Sequence, residues 1–259
     1  MATVVTNRGS IGYVEQGSGG STPIIFLHGV GSDKSVWRPQ LEHFGATRGA
    51  LAFDYPGYGE SDLIEGATHD DYAAAMLAAM DSLDVERAHI CGLSLGGVVA
   101  IAMHAAAQDR CASLIIADSF AVHPQGQAIY DRSIAASHDM RGLAETRVGA
   151  LLASEDPQMR GEIVDTMARI DQAAYRIGAE AVWLADQRDR AAAIDITTLI
   201  IVGDQDAITP PTLSEELHAQ IVGSQLVVLS GASHLANLDK PEEFNRAVDL
   251  FLSRVEGLG

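Results

Sequence analysis

Short apolar runs alternate with helix-spaced patterns along this chain, and the runs are apolar at nearly every position rather than at every second one. A strand with one wet face alternates apolar and polar side chains. A strand apolar throughout is covered on both faces, as in a parallel sheet between two layers of helices. Pro23–Leu27 (PIIFL), Arg48–Asp54 (RGALAFD), Arg87–Leu93 (RAHICGL) and Cys111–Asp118 (CASLIIAD) are runs of this kind. Between them, Ser35–Phe44 carries Val36, Trp37, Leu41 and Phe44 on one helical side. Thr68-His69-Asp70-Asp71 reads as a capping box opening an Ala-rich helix to about Leu83, and a further helix runs from Leu95 to about Gln108. This alternation predicts an α/β fold, with a mostly parallel sheet and helices on both faces.

The rhythm then changes. Val122 to about Ile194 holds no strand-like run, only the helical patterns Gln125–His138, Leu143–Leu152, Gln158–Ile170 and Gln172–Ala185. Alternation resumes with Thr198–Val202 (TLIIV), a helix over Pro211–Ile221, the strand Gln225–Leu229 (QLVVL) and a closing helix over Pro241–Val255. The expected organisation is one core, 1–121 and 196–259, interrupted by a helical cap over 122–195. The residues before Thr22 are expected to form a leading hairpin, with Gly17-Ser18-Gly19-Gly20-Ser21 as a flexible turn.

Charge removes several classes of partner. The chain sets 17 Lys and Arg against 35 Asp and Glu, a formal net charge of −18. A field of that sign repels phosphate backbones and anionic membrane surfaces, so neither nucleic acid nor membrane is expected as a partner. No apolar stretch approaches the roughly 18 residues of a membrane span, and Met1-Ala2-Thr3-Val4 opens no signal peptide. Cys91 and Cys111 both fall in apolar strand runs, as reduced thiols of a cytoplasmic protein would. Composition leaves a homo-oligomer open.

Gly92-Leu93-Ser94-Leu95-Gly96-Gly97 stands where a strand run meets a helical pattern. In that setting G-x-S-x-G is a nucleophile elbow: a sharp turn that lifts the serine hydroxyl above the carboxyl edge of the sheet. Ser94 is therefore the candidate nucleophile. A serine needs a base, and the base needs an orienting carboxylate. Of nine histidines, His234 is placed best, in the loop Gly231-Ala232-Ser233-His234 after the last strand. His89 and His104 fall within a strand and a helix and read as core or surface residues. His43, His69, His123, His138 and His218 read as solvated. The loop after Thr198–Val202 offers Asp204 and Asp206. Asp204 abuts the strand and suits the turn's own amides, whereas Asp206 can reach over the edge towards His234. Asp118, ending an earlier strand, is the other position for the acid. The amides of Val30, in His28-Gly29-Val30-Gly31, and of Leu95 would form the oxyanion hole, each donor supplying roughly 3 kcal/mol. His28 reads as a residue that ties this loop by hydrogen bonds.

The set HGVG, FDYPGYGESD, GLSLGG, GDQDAITP and SHLANLDKP resembles the α/β-hydrolase superfamily in order and spacing. The closing stretch SHLANLDKPEEFNRAVDLFL is similar to the 3-oxoadipate enol-lactonase and small carboxylesterase branch. The resemblance implies transfer of an acyl group to water through an acyl-enzyme, with a small ester or lactone as substrate and neither metal nor organic cofactor. Relatives that attack carbon through a carboxylate carry aspartate at the elbow; here it is Ser94. A carbon–carbon hydrolase of ring-cleavage products, or a ligand sensor with a slow triad, would carry the same residues.

Specificity is expected in the insertion, which from Arg132 to Arg190 holds eight arginines. Most should pair with Asp and Glu on helix surfaces. One or two facing the cleft would hold a substrate carboxylate in a bidentate fork, and Arg132, Arg176 and Arg188 are the candidates. Trp183 is a candidate pocket wall.

Overall fold

A computed structural model describes residues 2–257; Met1, Leu258 and Gly259, which the division into core and cap takes in, lie outside the described residues. β1 (Ala2–Thr6) and β2 (Gly9–Gln16) form an antiparallel hairpin, and β2 pairs antiparallel with β4 (Ala50–Phe53). From there every pairing is parallel: β4 with β3 (Ile24–Leu27), β3 with β5 (Ala88–Leu93), β5 with β6 (Cys111–Ala117), β6 with β7 (Thr198–Gly203), and β7 with β8 (Gln225–Leu229). The sheet order is β1-β2-β4-β3-β5-β6-β7-β8. It is the mostly parallel α/β sheet expected from the all-apolar runs.

The leading hairpin turns elsewhere than expected. Its reversal is at Asn7-Arg8, with Gly9 at φ 102 and the Thr6 hydroxyl donating to the Gly9 carbonyl at 2.7 Å. Gly17–Ser21 instead links β2 to β3. Gly17 lies at φ 74, and a Cβ there would overlap the carbonyl oxygens of Gly45 and Arg48. Close backbone approach, rather than flexibility, explains the glycine.

Successive residues of the parallel strands go to opposite faces. Ile25, Leu27, Ile90, Ile116 and Ile200 face α2 (His69–Ser82), α3 (Leu95–Ala106) and α9 (Pro211–Gln220). Ile24, Phe26, Cys91, Ile115 and Ile201 face α1 (Arg38–Phe44) and α11 (Pro241–Val255). Both cysteines are free and buried. The capping box forms as read: Thr68 Oγ1 accepts from the Asp71 amide at 3.3 Å, and the Thr68 amide donates to Asp71 Oδ2 at 3.1 Å. The pattern at Ser35–Phe44 divides into a 3-10 turn, Lys34–Trp37, and α1, with Val36, Trp37, Leu41 and Phe44 all buried.

Between β6 and β7 lie α4 (Gly126–Ala136), α5 (Met140–Leu151), α6 (Pro157–Ala168), α7 (Gln172–Trp183) and a fifth, unforeseen helix, α8 (Arg188–Ala192). α5 packs on α6 and α4 on α7, while α7 also reaches α2 and α3. One apolar cluster consequently runs from the sheet through Val30 and Leu95 into Tyr175 and Trp183. A short helix, α10 (Ala236–Asp239), follows β8 and was also unforeseen. Among the described residues, no helix is long and apolar enough to cross a membrane.

Candidate active site

Ser94 is held between β5 and α3 at φ 55 and ψ −113, a conformation that costs a residue with a Cβ of order 1–3 kcal/mol. Its surroundings enforce it. A Cβ on Gly92 would overlap the Gly96 carbonyl, and one on Gly96 would overlap the Leu27 carbonyl, so only glycine fits on either side of the turn. The Ser94 amide is tied to the Ala117 carbonyl on β6 at 2.9 Å. Its Oγ is buried and has no hydrogen-bond partner among the described residues. Ser94 and His234 line the same cavity, whose wall is otherwise mostly apolar, with Val30, Leu151, Ile163 and Met167 among its residues.

His234 and Asp206 come from the loops after β8 and β7. The His234 Nδ1–H donates to Asp206 Oδ2 at 2.8 Å, leaving Nε2 as the other ring nitrogen. Asp206 is fixed from its second oxygen, which accepts the amides of Ile208 at 2.8 Å and Thr209 at 2.9 Å. Thr209 Oγ1 lies 2.7 Å from Asp206 Oδ2 and 2.9 Å from the Asp118 carbonyl, so its single proton is shared between them. Burial alone would raise the Asp206 carboxyl; the His234 charge and the hydrogen bonds from His234 and Thr209 outweigh it and hold the group below the ordinary range. Asp204 does what a turn residue does, accepting from the Gly231 amide at 2.7 Å and the Ser230 hydroxyl at 3.1 Å. Asp118 is buried at φ 45, with Oδ1 accepting from the Gly203 amide at 2.9 Å. Burial, with the Asp206 charge adding to it, pushes its carboxyl well above the ordinary range.

The Val30 carbonyl accepts from Tyr58 Oη at 3.1 Å, which anchors the loop after β3. The amides of Val30 and Leu95 have no acceptor among the described residues. His28 ties this loop as read: Nδ1–H donates to the Gly29 carbonyl at 2.8 Å and Nε2 accepts from the Tyr55 amide at 3.3 Å. Burial lowers its pKa, which suits that neutral tautomer. Next to it Lys34 is buried against Asp54 and Glu60, so FDYPGYGESD also braces this loop. Among the described residues, no cluster of three or more His, Cys, Asp or Glu could hold a metal ion.

A family model described as the alpha/beta hydrolase family matches residues 24–247. The chain belongs to the α/β-hydrolase family. It is 27% identical over 263 residues to 3-oxoadipate enol-lactonase 1 of Acinetobacter baylyi, covering 98% of this chain and 97% of that one. It is 30% identical over 250 residues to a pimeloyl-[acyl-carrier protein] methyl ester esterase of Neisseria meningitidis, covering 91% and 94%. The crystal structure of the enol-lactonase from Burkholderia xenovorans superposes with a TM-score of 0.92 at 26% identity, over 97% of this chain and all of that one.

In this α/β-hydrolase the inserted helices bring some of the singled-out residues to the cavity and not others. Trp183 is buried in its wall, and its indole N–H has no acceptor among the described residues. Arg188 is exposed and paired with Asp186 at 2.5 Å, and Arg176 is exposed on the outer side of α7; neither lines the cavity. Arg132 is exposed and lines a neighbouring cavity. The arginine that does line the Ser94 cavity is Arg147, half-buried on α5, with Nη1 donating to Tyr175 Oη at 2.9 Å. Sequence offered no signal for it, because seven of the eight arginines sit on helices whose rotation about their axes is set by packing, and Arg169 caps one. His123 also departs from expectation. It is buried, edge-on to Phe120 and Trp183, and its ring bonds the Ile208 carbonyl at 3.2 Å in the loop that carries Asp206. His89 bonds Ser113 Oγ at 2.8 Å and Glu256 at 3.1 Å, as a satisfied core histidine should.

Proposed function

We propose that this α/β-hydrolase cleaves a small carboxylic ester or lactone through a covalent acyl-enzyme on Ser94. The observation that carries the reading is the pairing of two facts in one cavity: a buried, unpartnered Ser94 Oγ at a glycine-enforced elbow, and His234 with its Nδ1–H on Asp206. His234 Nε2 takes the Ser94 proton as Oγ adds to the carbonyl carbon, and Asp206 holds the tautomer and stabilises the imidazolium. The oxyanion is met by the amides of Val30 and Leu95. His234 then protonates the leaving alkoxide. Water enters along the same face and adds to the acyl carbon as His234 takes its proton; His234 then returns that proton to Ser94 Oγ as the Oγ–acyl bond breaks and the acid leaves. The helices of 122–195 serve as the cap over this cleft, and the lactonase and esterase names of the relatives support a small acyl substrate.

A fluorophosphonate probe and a chromogenic short-chain ester test this together. Labelling and steady turnover, both lost in Ser94→Ala and His234→Ala, are the expected result. Esterase activity that survives Ser94→Ala refutes it. A single burst with no steady turnover would identify a sensor instead.

A further inference from the structure

Four of the eight arginines in 122–195 are already paired: Arg141 with Asp165, Arg160 with Glu155, Arg188 with Asp186 and Arg190 with Asp70. Arg132 and Arg147 have no carboxylate within 4.0 Å among the described residues, and both line one cavity of about 580 Å³ beside Ile208 and Leu213. Arg147 also lines the cavity over Ser94, and it is the residue the two spaces share. The Ser94 cavity is the smaller of the two, with a volume of about 30 Å³. The chain of an ester seated at Ser94 that continues past Arg147 enters the larger of these two spaces.

We propose that Arg147, assisted by Arg132, forms an anion subsite that selects an ester or lactone carrying a carboxylate several atoms from the scissile carbonyl. This rests on the hydrolase reading above. The carboxylate lodges where the two cavities meet, in a fork of guanidinium N–H groups that have no acid to bind in the chain itself. Tyr175 Oη takes one N–H of Arg147 and fixes the plane of the fork. The wall on the Ser94 side holds no carboxylate, so a bidentate, charge-assisted contact there has no acid of the chain to compete with it. Glu216 lines the outer cavity too, and two arginines against one acid leave it locally cationic. The −18 of the whole chain disfavours an anion only at long range, and that field fades beyond about 8 Å in cell-like salt.

Two esters of equal length read the subsite: para-nitrophenyl hydrogen adipate, and para-nitrophenyl hexanoate, which has a methyl in place of the carboxylate. The native protein is expected to favour the acid by about tenfold in kcat/KM or more, and Arg147→Gln to lower that ratio by about tenfold. Arg147→Lys, which keeps the charge and loses the fork, should fall between. Adipate binding to Ser94→Ala, measured by calorimetry, reads the same subsite without turnover and should weaken by about tenfold when Arg147→Gln is added. Ser94-dependent turnover with an unchanged ratio in Arg147→Gln overturns the subsite and leaves the hydrolase intact. Turnover that survives Ser94→Ala overturns the hydrolase reading, and adipate binding then still decides the subsite.

Discussion

Asp206 Oδ2 and His234 Nδ1 meet at 2.8 Å although 28 residues separate them, because β7 and β8 are parallel neighbours whose following loops open at the same sheet edge. The nearby Asp204 turns the other way, onto the Gly231 amide and the Ser230 hydroxyl. The two acids should therefore fail differently. Asp206→Asn is expected to lower kcat by roughly 10³- to 10⁴-fold, since an amide can donate to Nδ1 and stabilise the wrong tautomer. Asp204→Asn should leave kcat nearly intact and lower thermal stability by a few degrees, about 2–4 °C for roughly 1 kcal/mol lost from the turn. Kinetics and melting curves of both variants separate them, and equal kinetic losses would remove Asp206 from its assigned place.

The elbow makes a stability prediction that needs no substrate. A Cβ at Gly92 or Gly96 runs into backbone carbonyl oxygens, which cannot swing aside as a side chain would. Gly96→Ala should cost about 1–3 kcal/mol by overpacking, and fluorophosphonate labelling should fall with it as the turn distorts. Gly20→Ala, at a position with open space around it, is the control and should melt like the native protein.

The strands that support this elbow were legible because a parallel strand buried on both faces writes its burial at every position. Ser94 and Asp206 stand next to such strands, whereas His234 follows β8, a half-buried edge strand whose apolar run QLVVL still marks it in the sequence. What the chain does not write down is rotation and short-range closure. α8 and α10, of five and four residues, are too brief to show a period. The Gly17–Ser21 run rivals Asn7-Arg8 as the hairpin turn in the sequence, since glycines needed for close approach and glycines needed for reversal look alike. Arg147 and Arg176 occupy helical patterns of similar composition, yet only packing decides that the first meets the cavity. Nothing around His123 in the sequence marks it as buried, because its burial comes from Phe120 and from Trp183, 60 positions away.

Thr209 supplies a finer test of the same acid. Its hydroxyl reaches Asp206 Oδ2, the oxygen that also accepts the His234 proton, and shares its hydrogen with the Asp118 carbonyl. Thr209→Val keeps the shape and removes that donor. Because the bond is shared, its loss should cost about one power of ten in kcat, rather than the larger penalty of an unshared bond to a buried carboxylate. Thr209→Ser should restore most of the rate. A rate unchanged in Thr209→Val would mean that the Ile208 and Thr209 amides alone hold Asp206 in place.

Asp118 carries the pH prediction. Burial, reinforced by the Asp206 charge, raises its carboxyl well above the ordinary range. As pH rises past about 4 the unfolded chain releases this proton before the folded chain does, because the folded carboxyl is raised. The folded state then binds more protons than the unfolded one, so this group's contribution to stability is full below about pH 4 and declines as pH rises from there. Asp118→Asn removes the titration, keeps an oxygen for the Gly203 amide, and suits the positive φ of 45. Its melting temperature should match the native protein near pH 4 and exceed it at pH 8 by a few degrees, about 2–4 °C per kcal/mol. Activity should persist, because His234 is bonded to Asp206 and not to Asp118. A variant less stable than the native protein at every pH would show that the carboxyl is ionised in the fold. Asp118 would then be the second negative charge beneath His234, and the pair would have to share the orienting role.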